Sequence, residues 1–536
     1  MKNTLFLLVV FISTTIFSQD LVLIKFTDKP SADYFFENPN LMLSQKSLDR
    51  RLKYGIELTL QDIPVEETYV NQIEDTGINP IAVSKWFNGI FAWCTEAQIL
   101  QVEAFSFVSE VESLVRNSTN VNSGKVFSGV QESQNITSKF LQPEYVDYGA
   151  TETQVKQIKL DYLHDLGFTG EGISIAVLDN GFPGVNTQDG FAYIRDNGQI
   201  KATYNFVTQN EDVYNVSGTH GTVVLSTIGG YIENQFIGTA IDADYYLFIT
   251  ENNQHELPDE EINWIAAAEL ADSLGVDVIN TSLGYSEFDD SRYNYTYTDM
   301  DGATTYITRG AQFAAERGIM VVVSAGNSGS SEWHYITAPA DGVDIFTIGA
   351  VRNDNVPASF SSYGPTSDGR IKPDVDALGS NAAIIRPNGT IDYGSGTSFS
   401  SPIMSGAMAC LIQAFPETHP STLRQNVRES AHLFNNPTDQ MGYGIPDFSE
   451  AYEACLGTEE FDLNTITIYP NPTSGIVQID SKFPIKQLQL ISFSGAFIRK
   501  LPATNQLNIS ELPKGIYILK IQLENGQNEI KRLILK

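Results

Sequence analysis

The sequence predicts an α/β protein built on a parallel sheet covered by helices on both faces. A small α+β unit precedes this sheet and a small all-β sandwich follows it. Three observations carry the prediction. Between residues 148 and 457, short and wholly apolar runs alternate with stretches of helical spacing, as strands buried on both sides require. Residues 19–116 read as strand, helix and strand. Residues 465–536 hold short strands spaced by turns, with no helical period.

Taken in order, residues 1–18 read as a secretory signal: Lys2 supplies the positive start, residues 5–17 the apolar core, and Ser18 a small residue at the end. That run is too short to span a bilayer, and no later run is longer, so export without a helical anchor is expected. Residues 21–26 alternate like an opening strand, and residues 44–54 suit a helix carrying the basic pair Arg50-Arg51. Residues 86–93 read as a second strand, 95–105 as a helix and 108–115 as a further strand. Residues 117–147 are polar and aperiodic, which marks a linker or processing segment. The central region places strands at 173–178, 245–249, 276–279, 319–323 and 345–351, with helices at 260–274 and 309–317 between them. In the tail, strands are expected at 466–469, 476–479, 488–493, 516–523 and 530–535.

The 536 residues carry 65 acidic against 33 basic side chains, a net charge of −32. A surface so negative argues against nucleic acid or anionic membranes as partners and favours a well-hydrated protein. Of the three cysteines, Cys94, Cys410 and Cys455, the last two read as buried thiols rather than a disulfide pair. No Cys/His spacing matches a zinc site, and His255-Glu256 fails as a zinc-protease helix because Pro258 and Asp259 interrupt it.

Four blocks carry chemistry. Asp179 closes the apolar strand Ile175-Ala176-Val177-Leu178 at its carboxyl end, the edge where parallel sheets gather their active sites. His220 stands between Gly218-Thr219 and Gly221-Thr222 at a helix start. Asn327 lies in the glycine-rich loop Ser324-Ala325-Gly326-Asn327-Ser328-Gly329 after a strand. Ser398, in Gly394-Ser395-Gly396-Thr397-Ser398, opens an apolar helix whose unpaired N–H groups and dipole suit an oxyanion. Singly, each could be a turn residue or a helix cap. Together they supply what nucleophilic acyl transfer needs: Ser398 to attack, His220 to take its proton, Asp179 to hold the imidazole tautomer, and Asn327 to meet the oxyanion.

These blocks, with Asn280-Thr281-Ser282-Leu283-Gly284, Phe360-Ser361-Ser362-Tyr363-Gly364-Pro365 and Ser400-Ser401-Pro402, resemble those of the subtilases, the subtilisin-like serine peptidases. The resemblance covers roughly residues 148–456. It implies that Ser282, Leu283 and Gly284, with Ser324, Ala325 and Gly326, flank an extended polypeptide substrate and wall its main side-chain pocket. Asn180 departs from the family's usual Thr or Ser after the aspartate, and Leu378 replaces a usual proline. Residues 19–116 resemble the subtilase propeptide, an intramolecular inhibitor. Tyr469-Pro470-Asn471-Pro472-Thr473-Ser474-Gly475 and the closing strand resemble the sorting domain of type IX secretion. The expectation is a serine endopeptidase made as a precursor, exported through the periplasm and either released or kept at the cell surface. Its partners would be polypeptide substrates, its own propeptide and the secretion machinery. No cofactor is required for such chemistry; a structural calcium is an open possibility at Asp299-Met300-Asp301-Gly302, which lacks a closing Glu. A catalytically inactive adhesin of the same fold is the rival. A lipase or esterase is disfavoured by the order of the triad and by Ser400 where the nucleophile elbow has glycine.

Overall fold

The computed structural model describes residues 19–116, 147–459, 466–481, 484–492, 497–523 and 528–536. The leader (1–18) and almost all of the processing segment (117–146) lie outside the described residues. The chain divides into two compact units, Met1–Ala454 and Cys455–Lys536.

The first unit is organised by a seven-stranded parallel sheet. Its strands run, in spatial order, Val375–Leu378, Phe346–Val351, Met320–Ser324, Val278–Thr281, Ser174–Asp179, Asp244–Ile249 and Ile200–Asn205. Five were expected; the two edges were not. Ile200–Asn205 carries Lys201, Thr203 and Asn205 and is only partly covered, so it lacks the apolar run of a central strand. Val375–Leu378 is four residues long and broken by Asp376. In register, Thr281 pairs with Leu178 and Val323, so Asp179, Ser282 and Ser324 emerge at one carboxyl edge.

Helix Thr397–Ala414 packs against the Val278–Thr281, Met320–Ser324, Phe346–Val351 and Val375–Leu378 strands and against helix His220–Gly229. Residues 397–412 are buried without a break, which is why the helix is apolar all round instead of amphipathic.

The N-terminal strands form an antiparallel sheet in the order Pro80–Ser84, Gly89–Thr95, Gln19–Phe26, Val108–Ser113. The period of two divides its residues between two cores. Leu21, Leu23, Phe87 and Phe91 join the core that contains Trp264 and Tyr306 of the parallel-sheet domain, whereas Val22, Ile24, Ile90 and Ala92 face the unit's own helices. Ring contacts seal the first face, with Phe91 5.5 Å from Tyr306 and Phe87 5.4 Å from Phe313. The expected strand at 86–93 begins later, at Gly89, because residues 85–88 form the turn from Pro80–Ser84.

A buried ionic cluster locks the same interface. Asp272 of helix Asp259–Leu274 receives Arg50 at 2.6 Å and Arg51 at 2.8 Å, and Asp62 receives Arg51 and Arg317, each at 2.9 Å. Glu269, one turn earlier, accepts the main-chain N–H of Lys85 (3.0 Å) and of Trp86 (3.2 Å), together with the Ser84 hydroxyl. Burial opposes ionisation of Asp272, but Lys85, Arg50 and Arg51 outweigh it and hold the carboxyl down at about 2.

The second unit is a β-sandwich. Strands Ile466–Tyr469, Ile476–Ser481 and Gln506–Asn508 make one sheet; Phe497–Leu501, Ile485–Ser492, Gly515–Leu523 and Asn528–Leu535 make the other. Val477, Ile479, Leu488, Leu490, Leu519, Ile521 and Leu533 fill the space between them. Phe497–Leu501 and Gln506–Asn508 are edge strands that the sequence pattern does not announce. No disulfide forms among the described residues: Cys94, Cys410 and Cys455 are buried thiols, and Cys410 Sγ donates to the Thr239 carbonyl at 3.2 Å. No described helix is long and apolar enough to cross a membrane.

Two stability effects follow. Both carboxyl oxygens of the fully buried Asp376 are without hydrogen-bond partners, and burial raises this group well above the carboxylate range. Its folded state therefore favours the proton, so this group's contribution to stability is greatest below the unfolded carboxyl value near pH 4 and falls as pH rises. Asp376→Val is expected to stabilise the chain at pH 7 by about 1–3 kcal/mol, with a smaller gain at pH 4, read from unfolding midpoints at both pH values. Asp272→Asn leaves Arg50 without its buried counter-charge and Arg51 with Asp62 alone. It is expected to destabilise the protein by about 3–5 kcal/mol, read from its denaturant midpoint.

Candidate active site

Asp179 is buried at the end of its strand, and both its oxygens face His220 Nδ1, at 2.9 and 3.0 Å. This bond leaves Nε2 as the ring nitrogen able to exchange a proton with a neighbour. His220 is the first residue of helix His220–Gly229, and its own N–H donates to Asn180 Oδ1 at 3.0 Å. The departure at position 180 thus has a physical role. Asn180 caps the helix that carries the imidazole, joining Asp179 and His220 through adjacent residues. Gly221 permits the approach, since a Cβ there would stand 2.6 Å from the Gly181 carbonyl and 3.0 Å from Asp179 Cβ.

Burial works against charging the His220 imidazole. The Asp179 carboxylate and its hydrogen bond, with a smaller contribution from Glu251, outweigh it and raise the group above its ordinary value. Glu251 is itself held by the Tyr285 hydroxyl.

Ser398 is the second residue of helix Thr397–Ala414, among the N–H groups that have no intrahelical acceptor. Pro402 stands four residues on and has no N–H, so the Ser398 carbonyl also lacks its helical donor. Ser282 Oγ fills that place at 3.1 Å, while the Ser398 hydroxyl donates back to the Ser282 carbonyl at 3.3 Å. The structure therefore brings Ser398 to Ser282 and His220 to Asp179; no hydrogen bond links Ser398 to His220 among the described residues. Phe399 bridges the two pairs, its ring 6.3 Å from the imidazole. Behind them, Asn280 fixes the helix to its strand by accepting the hydroxyls of Ser401 (3.2 Å) and Ser405 (2.9 Å) and donating to Ser282 Oγ (3.1 Å).

Asn327 is held by its carbonyl oxygen, which accepts Thr397 N–H at 2.8 Å and Thr397 Oγ1–H at 3.1 Å. Gly396 (φ 157°, ψ 152°) occupies a region that is essentially glycine's alone. A Cβ on it would stand 3.7 Å from each of Asn327 Nδ2, Asn327 Oδ1 and Ser398 N, and of the Asn327 pair Oδ1 is already engaged by Thr397. The bare face of Gly396 thus opens onto the space that these two donors share, where a developing oxyanion could be received. Ser324 ends strand Met320–Ser324, Ala325 N–H pairs with the Ile348 carbonyl at 2.9 Å, and Gly326 N–H donates to Thr397 Oγ1 at 3.3 Å. Ser282, Leu283 and Gly284 leave the neighbouring strand Val278–Thr281 at the same edge.

The Asp299–Gly302 loop turns Asp301 and one oxygen of Asp299 on its own main chain. Asp299 Oδ2 caps Thr296 N–H at 2.7 Å, and Asp301 Oδ1 accepts Ala303 and Thr304 N–H, each at 2.8 Å. Glu251, Glu256 and Glu260 instead bring one carboxylate oxygen each within 4.8 Å of one another, the group among the described residues with the composition to hold a metal. The sequence pattern does not reveal Asn180, Ser282 as partner of the Ser398 carbonyl, or Thr397. The proline inside an otherwise ideal helix is the available signal for the second.

A serine at a buried helix start and an imidazole oriented by a carboxylate, both at the carboxyl edge of a parallel sheet, fit the class of serine hydrolases. The chain belongs to the subtilase family, whose model matches residues 170–445. Residues 21–129 match the peptidase S8 propeptide domain of Bacteroidota, and residues 467–536 match a secretion system C-terminal sorting domain. Among relatives, the chain is 29% identical over 352 residues to the serine protease AprX of Bacillus subtilis, covering 60% of this chain and 74% of that protein. It is 29% identical over 316 residues to subtilisin NAT of Bacillus subtilis subsp. natto, covering 57% and 70%. The solved structure of MycP1 from Mycobacterium smegmatis aligns with a TM-score of 0.44 at 19% identity, covering 60% of this chain and 89% of that one. The protein is accordingly a subtilisin-like serine protease with a propeptide and a sorting tail of the type IX route.

The raised His220 gives a signed expectation. A general base must be neutral, so kcat/KM is expected to fall as pH drops through a midpoint above 6.5. Glu251→Gln removes a negative charge that favours the imidazolium, and is expected to shift the midpoint down. A pH profile of both proteins measures this.

Proposed function

We propose that this chain is a secreted serine endopeptidase in which Ser398 attacks the scissile carbonyl and His220 carries the proton. Asp179 holds the imidazole, and Asn327 Nδ2 with the Ser398 N–H receives the oxyanion. The observation that carries this reading is the side-chain orientation of Asn327. With Oδ1 committed to Thr397, its amide donors are left for the space opened by Gly396. The His220–Asp179 geometry supports the base role, since a carboxylate on Nδ1 fixes the tautomer that presents Nε2. In the resting state the Ser398 hydroxyl rests on the Ser282 carbonyl, and substrate entry would turn it to His220; catalytic hydrogen bonds commonly tighten only in the complex. Extended polypeptide would lie along Ser282–Gly284 and Ser324–Gly326. Side chains and the Ser398 N–H supply every proton and donor in this scheme, so it calls on no cofactor. The N-terminal unit would act as the intramolecular inhibitor of the precursor, and the sorting tail would take the protein through the periplasm and across the outer membrane.

The test is a pair of variants. Ser398→Ala is expected to remain uncut in a purified, protease-free preparation and to take no fluorophosphonate label. Asn327→Ala is expected to lose about 10²–10³ in kcat with little change in KM, a range that rests on a member of this same family. It should still mature, though late, because cutting the propeptide is a single intramolecular event at high effective concentration. A time course of precursor cutting beside steady-state kinetics separates the two. Full-rate hydrolysis by mature Asn327→Ala would remove Asn327 from the oxyanion site.

A further inference from the structure

The catalytic domain grips an arginine of the N-terminal unit in a cage with no assigned role. Arg116 N–H donates to the Arg292 carbonyl at 2.7 Å, which pins the main chain. Its guanidinium carbon lies 4.7 Å from the centroid of the Tyr295 ring. Nη1 is 3.4 Å from Asp299 Oδ1, and Nη2 is 3.3 Å from the Thr304 carbonyl. Behind Tyr295 stands Glu261, 1% exposed, whose Oε2 accepts the Tyr295 hydroxyl at 2.6 Å and whose Oε1 makes no hydrogen bond. Burial pushes the Glu261 carboxyl up to about 7, against the Tyr295 bond and the positive charge of Arg116, which both favour the anion. A π face, a carboxylate and a main-chain carbonyl contact the guanidinium, and a second, buried carboxylate stands behind the ring and senses its charge. This is a site for a planar cation with several donors.

The cage is continuous with the walls assigned to substrate. Tyr285, which follows Gly284, stacks on Phe288 at 5.8 Å, and Phe288 meets Tyr295 edge-on at 5.8 Å. Glu261 belongs to the first turn of helix Asp259–Leu274. Arg116 precedes the catalytic domain in the chain, so in self-cutting it lies on the amino-terminal side of the broken bond.

We propose that the cage of Tyr295, Asp299, Glu261 and the Thr304 carbonyl is a specificity subsite that takes an arginine side chain of the polypeptide substrate, amino-terminal to the bond cut, with Arg116 its occupant in the precursor. This rests on the peptidase reading above. When the propeptide leaves, Glu261 loses its nearest opposite charge, and an incoming arginine restores it.

The test walks one arginine, against norleucine, through the positions amino-terminal to the scissile bond of a reference peptide. Mature wild-type enzyme is compared with Glu261→Gln and Asp299→Asn. Gln keeps an acceptor for the Tyr295 hydroxyl. Asn keeps the oxygen that caps Thr296, so the partly exposed Asp299→Asn carries the test if Glu261→Gln fails to fold. At one position arginine is expected to raise kcat/KM about tenfold, chiefly through KM, and both variants should bring that ratio close to one. No position favouring arginine, or a preference unchanged in the variants while the peptides are still cut, would overturn the proposal and leave Arg116 an anchor of the precursor alone. Failure of wild-type enzyme to cut any peptide, the reference included, would instead remove the peptidase reading, and this subsite with it.

Discussion

The site depends on one wholly buried helix. Thr397–Ala414 runs through the core under four strands of the sheet, so its first turn cannot shift without repacking them. Three of the contacts that define the site are made to that turn: Asn327 to Thr397, Ser282 to the Ser398 carbonyl, and Gly326 to Thr397 Oγ1. Pro402 makes the second of these necessary, because it leaves a buried carbonyl without a helical donor and a side chain from the neighbouring strand must supply one. The nucleophile is therefore placed by the core, and the loops that carry its partners are tied to it.

Much of this was legible in the residues. The four chemical groups could be read because each sits in a glycine-rich block at a strand end or helix start, and an alternation of apolar runs with helical spacing locates those ends. Central strands were legible for the same reason. Edges were not: Ile200–Asn205, Phe497–Leu501 and Gln506–Asn508 are partly solvated and carry polar residues, so their pattern resembles loop. Pairings far apart in sequence were also invisible. Arg50-Arg51 reads as a basic helix surface until Asp272, more than two hundred residues away, is placed against it. The cap supplied by Asn180 looked like a departure of no consequence because its partner is a main-chain N–H forty residues on.

The interface between the N-terminal unit and the catalytic domain combines two kinds of interaction with different roles. Aromatic and aliphatic burial, from Leu21, Leu23, Phe87 and Phe91, is non-directional and supplies the adhesion. The Asp272 and Glu269 contacts contribute register, since a misplaced unit would leave charged groups buried without partners. Helix Asp259–Leu274 presents Glu269 and Asp272 to that unit, Glu269 meeting Ser84, Lys85 and Trp86, and Asp272 meeting Arg50 and Arg51.

The two-faced sheet of Gln19–Phe26 and Gly89–Thr95 has a consequence for what happens after cleavage. Once detached, it would turn a contiguous wall of leucine, phenylalanine and tryptophan toward water, with no catalytic domain left to cover it. A fragment of about a hundred residues that has lost one of its two cores would be less stable than the same unit docked, with more of its backbone open to cleavage. The apolar side chains that make the precursor cohere are the ones that separation would expose.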